Sequence, residues 1–164
     1  MTVRLKSLLW TWLPVLLWLS IIFVESTDLL SSTSTGTTLY EVLTKVFGPI
    51  NRHKFDIFHA ILRKSGHFIG YGILGLLFYR AIKNSLIQFR PALFKTTKSL
   101  RQRSLHWATE AIFCTAIVAS LDEWHQSFST ARTGALHDIV LDTFGAAVLI
   151  TLVLFRSRTP RPNQ

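Results

Sequence analysis

Four long apolar stretches divide this chain, and they constrain its fold more than any other feature. They cover residues 8–24, 65–82, 105–126 and 139–155, with polar and charged connections between them. The first, LLWTWLPVLLWLSIIFV, carries no charge. A helix rises about 1.5 Å per residue, so a hydrocarbon core of about 30 Å needs about 20 residues. Each stretch comes close to that length. A soluble four-helix bundle would need a polar stripe along the whole of each helix, and the inner ends of the second and fourth stretches have none. Only 16% of the residues are charged, against about 25% in an ordinary soluble domain. The expected fold is therefore all-α, a single integral membrane domain built as a four-helix bundle. Pro14 lies inside the first stretch, where neighbouring helices tolerate a kink. Arg4 and Lys6 precede that stretch as they would a signal peptide. Ile22, Phe23, Val24 and Glu25 offer no small-residue cleavage site, so an uncleaved anchor is expected. The single cysteine, Cys114, excludes an internal disulfide and a Cys-rich zinc site.

Charge sets an expected orientation. The N-terminus, the connection between the second and third stretches with its adjoining span ends, and the C-terminal tail together hold twelve basic residues and one acidic residue, Glu110. The other two connections and the adjoining span ends hold six basic and eight acidic residues. The positive-inside rule then places both termini in the cytoplasm, as four spans require. The same rule and anionic head groups account for the formal charge of +9. Membrane lipids, not nucleic acid, are the expected partners.

The outer connection, residues 25–64, contains two short amphipathic patterns. Leu39, Val42, Leu43, Val46 and Phe47 recur at helical spacing and stop at Gly48–Pro49; Phe55, Phe58, Ile61 and Leu62 repeat the pattern before Arg63. They predict one or two short helices in the head-group layer, or alternatively a lid over a site at the membrane surface.

The polar residues of the spans gather at their outer ends. Lys64, His67 and Tyr71 share one helix face. Gly66 and Gly70 form a small-xxx-small pair suited to close helix packing. Asp122, Glu123 and Gln126 end the third stretch, Arg132 lies in the following turn, and Asp138 and Asp142 open the fourth, with Gly145 on their face. Charges below the head groups are tolerated when they face one another or a water-filled cavity. Two readings follow. One is a structural ion-pair network that fixes helix register. The other is a polar pocket opening outward, which four carboxylates facing two or three cations favour. The candidate pocket residues are Lys64, His67, Tyr71, Asp122, Glu123, Gln126, Arg132, Asp138 and Asp142.

Taken in order, RKSGHFIGYGILGLL, DEWHQSF and RTGALHDIVLDTFG resemble the VanZ-like family. The matching positions are Arg63, Lys64, His67, Tyr71, Leu74, Gly75, Asp122, Glu123, Gln126, Phe128, Arg132, Asp138, Asp142 and Gly145. The resemblance covers roughly residues 10–155. It departs at the end of the first stretch, IIFVEST, where many relatives carry a Ser-Ser pair. It implies a small helical protein of the bacterial cytoplasmic membrane with a cell-envelope role. The family is named after a member of a glycopeptide-resistance cluster linked to teicoplanin resistance. Many members lie outside such clusters, so the resemblance implies no resistance role here.

Three kinds of chemistry suit the cluster. A binding or protective role needs only the pocket, with an envelope precursor or a lipid head group as ligand. An enzyme acting on a lipid-linked phosphate or glycan would use His67 as a base and Lys64 and Arg132 as anion holders. No Ser or Cys nucleophile motif and no phosphate-binding glycine loop is present. Asp122, Glu123, His125, His137 and Asp138 match no standard metal spacing, so neither metal nor cofactor is expected.

Overall fold

A computed structural model of the chain describes residues 3–27, 31–89, 100–128 and 135–157. Five helices are present among these residues, and no strand: α1 (Val3–Glu25), α2 (Ser32–Phe47), α3 (Arg52–Phe89), α4 (Leu100–Gln126) and α5 (Leu136–Arg156). Three of them, α1, α4 and α5, are long and apolar enough to cross a membrane. The second apolar stretch lies within α3, where His67, Tyr71, Tyr79, Arg80 and four glycines lower its hydropathy below theirs.

The helix starts and stops follow local chemistry. The Ser31 hydroxyl accepts the Ser34 N–H at 3.3 Å and opens α2. Gly48, at φ 84°, returns its N–H to the Thr44 carbonyl at 3.0 Å and closes it. Pro49 follows. The Tyr40 hydroxyl donates to the Ile50 carbonyl at 2.9 Å, and the Asn51 side chain accepts the Lys54 N–H at 3.1 Å at the start of α3.

α3 then runs unbroken for 38 residues, about 57 Å. This corrects the expectation of a second separate outer helix, because the pattern from Phe55 to Leu62 is the first part of α3. Arg63, Lys64, Ser65 and Gly66 contain no proline, and one glycine costs a helix only about 1 kcal/mol relative to alanine.

The core is made where α3, α4 and α5 meet. Tyr71, Leu74, Phe78 and Ala81 of α3 pack with Ala108, Ala111 and Ala119 of α4 and Ile150 of α5. Small residues bring the backbones together, the usual device where lipid removes the hydrophobic drive between helices. The expected glycine pair is not the one used. An added Cβ at Gly66 or Gly70 would meet nothing within 4 Å. At Gly75 it would lie 2.6 Å from Ala146 Cβ, at Gly72 it would lie 2.5 Å from a Leu149 methyl, and at Gly145 it would collide with the Phe68 carbonyl oxygen. A glycine spacing marks a smooth helix face without saying which neighbour comes to it.

α1 packs chiefly against α3. Trp18 Nε1 donates to the Gly70 carbonyl at 2.9 Å, Trp12 Nε1 to Ser85 Oγ at 3.0 Å, and Ser7 Oγ to Gln88 Oε1 at 3.0 Å. Just past its C-terminal end Ser26 Oγ lies 3.2 Å from His125 Nδ1. Val15 and Ile22 enter the core, while Leu9, Trp10, Leu16 and Leu17 are exposed.

Candidate functional site

The face of α3 that carries Lys64, His67 and Tyr71 meets the ends of α4 and α5. The Tyr71 hydroxyl donates to Asp122 Oδ2 at 2.9 Å, and Gln126 Nε2 donates to the same oxygen at 2.8 Å. Tyr71 is 2% exposed, so its hydroxyl needs that partner. The His67 ring stacks on Tyr71 with centroids 6.2 Å apart, and its Nδ1 lies 3.6 Å from Asp142 Oδ2. Asp142 is 1% exposed, and neither of its oxygens has a hydrogen-bond partner. Lys64 Nζ is 3.5 Å from Asp138 Oδ1, and His137 Nε2 is 3.1 Å from the same oxygen. Glu123 Oε2 accepts the Ala135 N–H at 2.7 Å, which ties the end of α4 to the start of α5.

Eight of the nine candidate residues therefore gather at one end of the α3–α4–α5 core. The ninth, Arg132, lies outside the described residues. His125 and His137, the other histidines of this end, serve locally: His125 packs beside Phe23 and reaches Ser26, and His137 contacts Asp138.

A cavity of about 410 Å³ opens beside the cluster, bounded by α2, α3, α4 and α5. Lys64, His67, Glu123, Gln126 and Asp138 line it. Tyr71, Asp122 and Asp142 do not; they brace the residues that do. The cavity has a wall that the sequence reading missed. Thr33, Gly36 and Thr37 of α2 and Arg52, Asp56 and His59 of α3 complete it, together with Arg63. The signal for the α3 part was present, since residues 52, 56, 59, 63 and 67 fall on one stripe of an uninterrupted helix. That stripe becomes visible only when α3 is read as continuous.

His59 sits directly beneath α2. An added Cβ at Gly36 would come within 3.2 Å of its Cε1, so a larger residue would crowd the ring. The ring stacks on Phe55 at 5.8 Å, and Nε2 lies 3.4 Å from Thr35 Oγ1. Burial, then the nearby Arg63 guanidinium, hold its pKa below the ordinary 6.5. A second cavity of about 340 Å³ lies on the α1 side, and His59, Arg63 and His67 form the ridge between the two. At the rim, Arg52 Nε pairs with Asp56 Oδ1 at 3.0 Å, and the guanidinium lies over the Tyr40 ring at 4.5 Å.

The charges of the main cavity are sorted by helix. Its cations, Arg52, Arg63 and Lys64, all belong to α3, while Glu123 and Asp138 face them from α4 and α5. Such a lining can hold a polar ligand by charge and hydrogen bonds from two sides. Among the described residues, no group of three or more His, Cys, Asp or Glu is arranged to hold a metal ion.

Long apolar helices and a charged cluster at their ends define a multi-pass, all-α membrane protein. The VanZ/LLP1 family model matches residues 11–157, and the chain belongs to that family. No curated protein and no solved structure matches it.

Proposed function

We propose that this protein spans the bacterial cytoplasmic membrane four times, with both termini in the cytoplasm, and binds a polar head group in a pocket open to the outer side. Residues 65–82 of α3 supply the fourth span. The ligand is a lipid head group or the head group of an envelope precursor, and the role is binding or protection at the cell envelope. The observation that carries this reading is the cavity of about 410 Å³ lined by side chains of both charge signs. An ion-pair network that only fixed helix register would close on itself and leave no such space. Its size falls in the usual range of ligand pockets. The placement of α2 over the cavity supports a cover that admits the ligand from the membrane surface.

A second reading, a membrane enzyme, draws on one contact. His67 lines the cavity and has Asp142 behind it, which suits a general base oriented by a carboxylate. Incubating the full chain with lipid-linked phosphates tests it: a product made by wild type and lost in His67→Gln supports it, and no product from either removes it for those substrates.

The binding reading is tested by native mass spectrometry of the full chain extracted in mild detergent. Wild type is expected to retain a polar lipid or precursor that Lys64→Ala and Glu123→Gln lose, while circular dichroism of all three stays the same. Equal retention by all three, or none by wild type, would overturn it.

A further inference from the structure

The sorting of charge in the cavity says what kind of head group it fits. We infer that the pocket takes a zwitterion, a phosphate ester bearing a primary ammonium group, with phosphate toward α3 and ammonium toward α4 and α5. This rests on the binding reading above and narrows it.

Among the described residues the lining cations and carboxylates are equal in number: Arg52, Arg63 and Lys64 against Asp56, Glu123 and Asp138. A zwitterion meets both signs of this lining at once, which a ligand of one charge does not. Arg52 and Asp56 neutralise each other on one helix at the rim. Deeper in, Arg63 and Lys64 stand opposite Glu123 and Asp138. Lysine and arginine only donate hydrogen bonds, and carboxylates only accept them. One wall therefore asks for an acceptor such as phosphate, and the other asks for a donor.

The acceptor wall is underused. Glu123 is 6% exposed, and its one hydrogen bond among the described residues comes from the Ala135 N–H. A carboxylate has room for about four. Asp138 Oδ1 is buried and makes no well-aligned hydrogen bond, although His137 Nε2 lies 3.1 Å away. Its contact with Lys64, at 3.5 Å, is longer than the roughly 2.7–2.9 Å of a well-made charged hydrogen bond. The pair is loosely made, so a ligand can add an acceptor to Lys64 and a donor to Asp138. Gln126 gives one N–H to Asp122 and keeps its carbonyl oxygen as a further acceptor. A primary ammonium brings three N–H donors to these acceptors; a quaternary ammonium brings none.

The ligand can come from a phosphatidylethanolamine-type lipid or from a soluble phosphoethanolamine group, and the test separates them. The purified full chain in detergent is titrated calorimetrically with phosphoethanolamine, phosphocholine and glycerol phosphate. In parallel it is placed in nanodiscs of mixed phosphatidylethanolamine and phosphatidylglycerol, and its bound lipid is identified by native mass spectrometry. Phosphoethanolamine, its lipid or both should bind at least about tenfold more tightly than the other compounds in the same arm, the difference a charged hydrogen bond makes. Preference in the lipid arm alone assigns a membrane source, and in the free arm alone a soluble one. Glu123→Gln should abolish the preference. Should that variant fail to fold, Asp138→Asn is expected to do the same. Binding of glycerol phosphate, phosphocholine or phosphatidylglycerol as tight as that of the ammonium compound overturns the zwitterion and leaves the pocket standing. Retention of the preference in a folded Glu123→Gln or Asp138→Asn overturns it too. No binding of any probe in either arm removes the zwitterion, and the pocket with it if the chain also carries no precursor from the cell.

Discussion

At Gly145 the chain gives up a side chain so that the Phe68 backbone of α3 can approach α5. A methyl group there meets a carbonyl oxygen, not the movable end of a side chain, so neither helix can yield without separating. Gly145→Ala should destabilise the protein by about 3 kcal/mol, the upper part of the overpacking range, and thermal melts in detergent should show a clear fall. Gly66→Ala and Gly70→Ala make the opposite prediction. Both added methyls enter open space, and alanine favours helix by up to about 1 kcal/mol, so melting should stay level or rise. Loss of stability in these two and none in Gly145→Ala would reverse the assignment of the packing face. Tyr71 supplies a third comparison. Tyr71→Phe keeps the ring stacked against His67 and removes the donor to Asp122, which retains Gln126. A hydrogen bond to a carboxylate is worth about 1.5–3 kcal/mol; with the second donor in place the lower end is expected, and the same melts measure it.

Among the elements, α2 is the one whose attachment should respond to pH. It rests on α3 over His59, whose pKa burial and Arg63 lower from 6.5, with Arg52 acting in the same sense and Asp56 against it. When α2 lifts, the ring regains water and titrates nearer its ordinary value. The lifted state then binds more protons, so docking is complete above pH 6.5 and weakens as the pH falls from there toward the lowered value. Hydrogen exchange of the α2 amides, corrected for intrinsic rates, should be faster at pH 5.5 than at 7.5, and His59→Gln should flatten the difference. Equal protection at both pH values in wild type would remove His59 as the latch. This contact also marks where the sequence stopped being legible. The helical character of the apolar stretches followed from their length and composition. The convergence of Lys64, His67 and Tyr71 with the acidic ends of α4 and α5 followed from helical spacing and the cost of leaving charge in lipid. The junction at Arg63–Gly66 was opaque because the apolar pattern before it and the apolar stretch after it obey different rules, one amphipathic and one buried. Reading them as separate helices hid the stripe from Arg52 to His67, and with it half of the cavity wall. Which glycines touch a neighbour was opaque for another reason, since it depends on how the helices cross, and that is a property of the assembled core.

For the molecule as a whole, everything said of the pocket depends on which side of the membrane it faces. The polar cluster joins the end of α3 nearest residue 64, the C-terminal end of α4 and the N-terminal end of α5, so these ends lie on one side. In the proposed four-span topology the opposite side receives the N-terminus of α1, the connection between α3 and α4 and the tail after α5. It carries twelve basic residues to one acidic, against six to eight on the pocket side. Lysine and arginine near span ends are held in the cytoplasm during insertion, and acidic residues contribute little. The excess of basic residues alone, twelve to six, is the ground for the proposed orientation. In a Cys114→Ala background, a cysteine placed at Thr35 should react with a membrane-impermeant maleimide in intact cells, because α2 lies on the pocket side. A cysteine at Ser99, or one added after Gln164, should react only after the membrane is opened. Protection of Thr35 together with labelling at Ser99 would turn the pocket to the cytoplasm and exclude an envelope precursor displayed outside as its ligand. Labelling at Ser99 with protection after Gln164 would instead remove α5 from the set of spans. The three long apolar helices, with the fourth span proposed within α3, predict that Ser99 and the position after Gln164 behave alike.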